Sequence, residues 1–273
     1  MSAGASTFRL IAHRGASAEA PENTAAAFAR AVELEVSEVE LDVRRSRDGR
    51  LVLFHDPVLR PKVAHDGRAE DHDLADLTTF DIGRWFDSVG VEALYAPGLG
   101  WDRPALPRFS GEPLLGFDAY LARFGRFFAH HVELKGADPD LPDLALARLR
   151  AHACLDRAVL ISFRHEQVQR VRALAPDIPT AWLIRDLGGG HARWTDAIER
   201  CRMEGISTIC PAAPAVTIDL VRRARRAGLG VRVWRVRTAA DLRHAIASGA
   251  DGATVNWISQ ARRIVDAAAR RIN

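Results

Sequence analysis

Glu40-Leu-Asp42 and Glu133-Leu-Lys135 each set two ionisable residues two positions apart, so on extended backbone both members of a pair point to one face. Together they offer three carboxylates and an ammonium group. Carboxylates held that close repel unless a proton or cation lies between them, and an oxygen-rich set of this kind suits Mg²⁺ or Ca²⁺. His13-Arg14-Gly15 adds an imidazole and a guanidinium, and His55 a second imidazole. Two imidazoles can serve as general base and general acid near neutral pH. Arg14 and Lys135 suit an anionic phosphate bridged to a metal. Each fragment alone is commonplace, since a strand-end carboxylate is more often salt-bridged or solvated than functional. The combination carries the argument, because the fragments occur in order at successive strand ends.

Those strand ends come from an alternation of short apolar runs with longer segments of helical period, the pattern of repeated β/α units. Eight parallel strands are expected, at residues 9–13, 38–43, 128–135, 158–163, 180–184, 207–210, 230–236 and 252–256. Helical stretches between them include 24–34, 141–152, 166–174, 192–203, 218–227, 240–247 and 258–270. At 273 residues, eight units describe a single α/β barrel of the TIM type, whose carboxyl-terminal mouth carries the chemistry. Residues 50–56 also read as a strand, but too little chain separates them from the preceding strand for a parallel crossover. A hairpin is expected instead, with Asp48-Gly49 as a two-residue turn that sets Asp42 opposite His55 and returns the histidine to the mouth. Residues 57–113, rich in Gly, Pro and Trp, exceed ordinary loop length and read as an inserted subdomain over that mouth. Its Trp85, Phe86, Tyr95 and Trp101 could line an alcohol pocket, although a small core of their own is the favoured reading for most of them.

The bulk properties narrow the function. A net charge of +3 with scattered basic residues gives no nucleic-acid footprint. Arg222, Arg223, Arg225 and Arg226 fall on one helix and read as a solvated face. No apolar run is long enough for stable membrane insertion, and residues 1–9 lack a secretory signal, so a cytoplasmic protein is expected. Cys154, Cys201 and Cys210 form no Cys-x-x-Cys pair and read as buried thiols. Only two of the 38 basic residues, Lys62 and Lys135, are lysine. A lysine kept in so arginine-biased a chain points to a need for a compact ammonium that a planar guanidinium does not meet. Gly188-Gly189-Gly190 lacks phosphate-loop spacing and reads as a flexible loop. His131 shares an inward face with Glu133, yet reads as a hydrogen-bonded interior histidine rather than a further ligand. Trp234, at a strand end, is placed equally for substrate stacking and for packing.

The run His13-Arg-Gly, Pro21-Glu-Asn-Thr, Glu40-Leu-Asp-Val, Asp48-Gly and His55-Asp56 resembles the amino-terminal signature of glycerophosphodiester phosphodiesterases, with Glu133-Leu-Lys as the next motif. Ser162-Phe163 and Val231-Arg-Val-Trp234 look like later, looser family motifs. The resemblance implies a metal-dependent hydrolase of small glycerophosphodiesters, releasing an alcohol and glycerol 3-phosphate. It implies that Glu40, Asp42 and Glu133 hold the metal, that His13 and His55 are acid and base in either order, and that Arg14 and Lys135 contact phosphate. Glu22 lies close to the metal in such proteins, though a carboxylate there could equally serve the helix dipole. The chain departs from the pattern at Leu59-Arg-Pro-Lys-Val63, where altered substrate contacts are expected. It departs again at Asn256-Trp257, where the usual aspartate is missing and a consequence for packing, away from the chemistry, is expected. Neither oligomeric state nor headgroup alcohol is set by these motifs. Rival readings are a lysophospholipase D or sphingomyelinase D-like activity with a greasier groove, a catalytically silent metal- or phosphate-binding barrel, and a lyase or isomerase acting through a Mg²⁺-bound enolate.

Overall fold

The structure, a computed structural model, describes residues 8–89, 106–185 and 190–270. In chain order its strands are β1 (Arg9–His13), β2 (Glu38–Arg45), β3 (Leu51–Leu53), β4 (Ala129–Leu134), β5 (Ala158–Ser162), β6 (Thr180–Ile184), β7 (Thr208–Pro211), β8 (Gly230–Val233) and β9 (Gly252–Val255). All except β3 are parallel, and pairing of β1 with both β2 and β9 closes them into an eight-stranded TIM-type barrel. The helices are α1 (Ala25–Glu33), α2 (Leu74–Leu77), α3 (Gly83–Ser88), α4 (Phe117–Phe124), α5 (Leu141–Ala151), α6 (His165–Leu174), α7 (Gly190–Met203), α8 (Ile218–Arg226), α9 (Ala239–Ala247) and α10 (Ile258–Ala269). None is long and apolar enough to cross a membrane.

Strand β2 shows how one sequence serves two environments. Val39, Leu41 and Val43 are fully buried in the main hydrophobic core, which also takes Phe28 of α1 and Phe117, Tyr120 and Phe124 of α4. The alternate residues, Glu38, Glu40 and Asp42, are buried too, with polar partners. Each buried aliphatic contributes about 1.5–3 kcal/mol, which helps offset the cost of burying the acids. Helix α8 follows the same economy: Leu220, Val221 and Ala224 are buried, whereas Arg223 and Arg225 pair with Asp219 and Asp251.

The β2–β3 hairpin forms, but its register differs from the expected one by a residue. Val43 pairs with Leu53, and the Phe54 N–H donates to the Asp42 carbonyl, so Phe54 rather than His55 stands opposite Asp42. The turn is longer than two residues. Ser46 N–H bonds the Arg50 carbonyl, leaving Arg47, Asp48 and Gly49 in the turn with Gly49 left-handed at φ 74°, the geometry of a three-residue loop closed by a glycine bulge. The Ser46 hydroxyl favours it by bonding both Asp48 and the Arg50 carbonyl. In this register Leu51 and Leu53 join the barrel core, while Val52 and Phe54 face a separate cluster with Leu59, Val63, Ala69, Leu77, Phe80, Ile82 and Leu114. Most of that cluster comes from the described part of residues 57–113, against which Trp85 packs; Phe86 is also buried. Tyr95, Trp101, Gly188 and Gly189 lie outside the described residues.

His131 is interior and hydrogen-bonded. Its Nδ1 accepts from the buried Arg232 guanidinium, which leaves Nε2 to donate to Glu38 at 2.7 Å. Burial, reinforced by Arg232, pushes the imidazole from its ordinary 6.5 down to about 4. An unfolded chain therefore takes up this proton first on acidification. The histidine's contribution to stability is complete above pH 6.5 and is lost as the pH falls toward 4. His131→Gln keeps one acceptor and one donor but does not titrate. Urea unfolding at pH 6.5 and pH 5 is expected to show wild type losing more stability than the variant, by up to about 1.4 kcal/mol per pH unit. Equal losses would remove His131 from the acid response.

Candidate metal and phosphate site

Glu40 and Asp42 of β2 and Glu133 of β4 are buried, and one carboxylate oxygen from each lies within 4.8 Å of the others. Strand register produces this convergence, since Asp42 is paired with Glu133 and Glu40 with His13 of β1. Two cations enter the cluster. Arg14 Nε lies 3.1 Å from Asp42 Oδ2, and Lys135 Nζ lies 3.2 Å from Asp42 Oδ1 and 2.6 Å from Glu133 Oε1. Asn23 donates its amide to Asp42 at 2.8 Å. Burial alone would raise the Asp42 carboxyl, but Lys135 and Arg14 hold it well below the usual range. Glu40 moves the other way, because burial and then the charges of Asp42 and Glu133 push it well above that range.

The cluster is under-compensated. Five carboxylates (Glu22, Glu40, Asp42, Asp56 and Glu133) face the three cations Arg14, Lys62 and Lys135. Glu40 Oε1 is buried with no hydrogen-bond partner. With all five ionised the formal excess is two negative charges, which together with an orphaned carboxylate oxygen fits one hard divalent cation held by oxygen ligands.

The loop from β1 to α1 delivers Arg14. Its backbone is left-handed at φ 58°, and its N–H bonds the Glu40 carbonyl at 2.8 Å and Glu40 Oε2 at 3.2 Å. Gly15 lets the loop press on α1, since a Cβ there would stand 2.8 Å from Ala27. Asn23, also left-handed, returns its N–H to the Arg14 carbonyl. Sparsely populated conformations of this kind cost about 1–3 kcal/mol each and persist where surrounding contacts enforce them. Arg14 further makes two 2.9 Å hydrogen bonds to Glu22, whose carboxyl is held low against its burial by Arg14 and Lys62.

His13 Nδ1 lies 2.5 Å from Asn256 Oδ1, so it is the protonated nitrogen, and Nε2 is left as acceptor 3.7 Å from Glu40. Burial and the neighbouring Arg14 lower its pKa, keeping the ring neutral. His55 Nδ1 bonds Asp56 at 2.6 Å, and its carbonyl accepts from Arg44 at 2.9 Å. Lys62 joins the two groups of residues, 2.7 Å from Glu22 and 3.0 Å from Asp56.

Of the residues singled out in the sequence, His13, Arg14, Glu40, His55, Glu133, Lys135 and Trp234 line one cavity of about 770 Å³. Asp42 and Glu22 sit behind it, tied to Arg14. The Trp234 indole N–H is committed to the Ile184 carbonyl, and its ring meets Phe163 edge-on. His131 lies apart from the acid cluster, bonded to Glu38 and Arg232. The expectation for Asn256 needs correction: β9 pairs with β1, which carries the Asn256 side chain onto His13 in the same cavity, so the substitution reaches the candidate site rather than packing alone. Lys62, Asp56 and Asn23 were not singled out as site residues. Only the rarity of lysine pointed to Lys62.

Lys62→Met is expected to fold while losing roughly 10- to 100-fold in turnover, the range for residues that orient groups around a metal. Lys62→Arg is expected to do little better, because a planar fork does not replace a point charge seated between two carboxylates. Full activity in Lys62→Arg, measured beside thermal unfolding, would show that charge alone suffices.

Residues 13–259 match the model of the glycerophosphoryl diester phosphodiesterase family. A glycerophosphodiester phosphodiesterase of Bacillus subtilis is 29% identical over 259 residues, covering 90% of this chain and 83% of the relative. The crystal structure of a glycerophosphodiester phosphodiesterase from Agrobacterium tumefaciens is similar with a TM-score of 0.72 at 25% identity, covering 91% of this chain and 96% of that one. A phosphodiesterase of Oleispira antarctica, solved in complex with the product sn-glycerol-3-phosphate, shares the fold with a TM-score of 0.80 at 21% identity, covering 95% and 97%. With its acid cluster, paired cations and barrel all inside the matched span, this chain belongs to the glycerophosphoryl diester phosphodiesterase family and is a phosphoric diester hydrolase.

Proposed function

We propose that the protein hydrolyses glycerophosphodiesters to an alcohol and glycerol 3-phosphate, with His13 and His55 as the acid–base pair. The observation that carries this reading is that both imidazoles line the cavity into which Glu40, Glu133, Arg14 and Lys135 also project. The product bound to the Oleispira antarctica relative supports glycerol 3-phosphate as the phosphate-bearing product.

Glu40, Asp42 and Glu133 would hold Mg²⁺ or Ca²⁺, which when bound supplies Lewis-acid polarisation of a phosphoryl oxygen. Arg14 and Lys135 would neutralise the non-bridging oxygens, where preorganised charge acts most strongly on the transition state. His13, neutral and with Nε2 free to accept, is suited to take a proton from the nucleophile, either water directly or the glycerol 2-hydroxyl, in which case water must afterwards open the resulting cyclic phosphate to give glycerol 3-phosphate. His55, steadied by Asp56, is suited to return a proton to the departing alcohol oxygen. The Asn256 amide fixes the His13 tautomer without adding a negative charge beside it.

Release of glycerol 3-phosphate from glycerophosphocholine is expected to be abolished by chelator and in Glu40→Ala. His13→Ala and His55→Ala are each expected to lose about 10²- to 10⁴-fold while binding metal as wild type does. Near-normal rates in either variant would remove that histidine from the proton transfers. Release that ignores chelator would sink the metal-dependent reading, and faster hydrolysis of a long-chain lysolipid would favour a lysophospholipase D.

A further inference from the structure

The acid cluster occupies the β1, β2 and β4 side of the cavity. Strands β5, β6, β8 and β9 build the rest, and the ends of the first three contribute Phe163, Arg185, Trp234, Arg235 and Arg237 to the lining. The three guanidinium groups are exposed, and among the described residues none has a carboxylate partner. The nearest acid in sequence to Arg237, Asp241, is turned into the α9 capping box, where it accepts from the backbone N–H groups of Arg237 and Thr238.

An aromatic pair at a pocket mouth commonly receives a cationic headgroup over its rings. Here Phe163 is already engaged. Arg185 lies 4.5 Å from its ring centroid, Lys135 Nζ lies 5.8 Å from the same centroid, and Trp234 meets it edge-on. The ring thus acts as a spacer between the lysine at the acid cluster and the arginine wall. Arg235 holds the left-handed conformation, φ 59°, directly after the Trp234 backbone is pinned to Pro211 and Ala213. A non-glycine residue in that region costs free energy, and its position at the rim of a substrate cavity points to recognition.

We infer that the preferred substrates are glycerophosphodiesters whose headgroup alcohol carries a further phosphate, received by Arg185, Arg235 and Arg237. The inference rests on the proposed hydrolysis and specifies its substrate class. Arginine forks match phosphate oxygens two at a time, and three of them without acidic partners exceed what an uncharged alcohol requires. A quaternary ammonium would meet only like charge on this wall.

The test compares kcat/KM on glycerophosphoinositol 4-phosphate, glycerophosphoinositol and glycerophosphocholine for wild type and for the Arg185→Ala/Arg235→Ala/Arg237→Ala triple variant. Wild type is expected to favour the phosphorylated substrate at least about tenfold over the other two, and the triple variant to bring the three close to parity. Calorimetric binding of myo-inositol 4-phosphate, which needs no turnover, is expected in wild type and lost in the triple variant. A wild-type preference for the choline diester, or a ratio that the triple variant leaves unchanged, would overturn the inference while leaving the hydrolase intact. Should none of the three diesters be cleaved, the proposed reaction fails instead, and arginine-dependent binding alone decides the specificity.

Discussion

Mutual repulsion among Glu40, Asp42 and Glu133 is the constraint around which the molecule is organised. Three carboxylates within a few ångströms, shielded from water, cannot all be ionised without positive charge among them. Arg14 and Lys135 supply part of that charge and stabilise Asp42 most, which leaves Glu40 with its raised pKa and an oxygen without a partner. The acids hold their places because β2 and β4 are locked in register, with aliphatic residues on the alternate positions of β2 buried in the helix layer. The scaffold thus keeps together groups that would separate if free, and the imbalance that remains is one a divalent cation would remove.

Around this cluster the polar groups act as a chain. Lys135 meets Asp42, Asp42 meets Arg14, Arg14 meets Glu22, Glu22 meets Lys62, and Lys62 meets Asp56, which bonds His55. Such networks are worth more than isolated pairs only when nearly every member is satisfied. That condition explains why the segment after His55 returns Lys62 to the site, and why Arg44 binds both the His55 carbonyl and Glu70 of the same excursion. The described part of residues 57–113 is in this sense electrostatic support for His55, and its Leu59, Val63, Ala69, Leu77, Phe80 and Ile82 pack in a cluster with Val52, Phe54 and Leu114.

What the sequence made legible follows from the range of the forces involved. Alternation along β2 and β4 is local, so the barrel strands and the inward direction of Glu40, Asp42 and Glu133 could be read from neighbouring residues. The hairpin register could not, because Asp48-Gly49 is compatible with turns of two or three residues, and the Ser46 side chain together with burial of Leu51 and Leu53 selects the longer one. Asn256 and Lys62 escaped for a related reason. Asn256 reaches His13 through pairing between the first and last strands of a closed barrel, a contact across 243 positions. Lys62 reaches Glu22 across 40, from a segment whose motif departs from the family pattern, so that only the rarity of lysine pointed to it.

Closure of the barrel also separates two tasks. The groups suited to proton transfer and to charge neutralisation sit on β1, β2, β4 and the loop after β3, where strand register and the ion-pair chain leave little freedom. The wall after β5, β6 and β8 is built from exposed arginines and a locked aromatic pair that, among the described residues, no ion pair ties to the acid cluster. Among the described residues the two regions meet at the Phe163 ring, which contacts both Lys135 and Arg185, and at the bond from Arg232 of β8 to His131 of β4. On the proposed reading, headgroup discrimination falls mainly to the exposed arginines, and Phe163 is a position at which it touches the acid cluster's lysine.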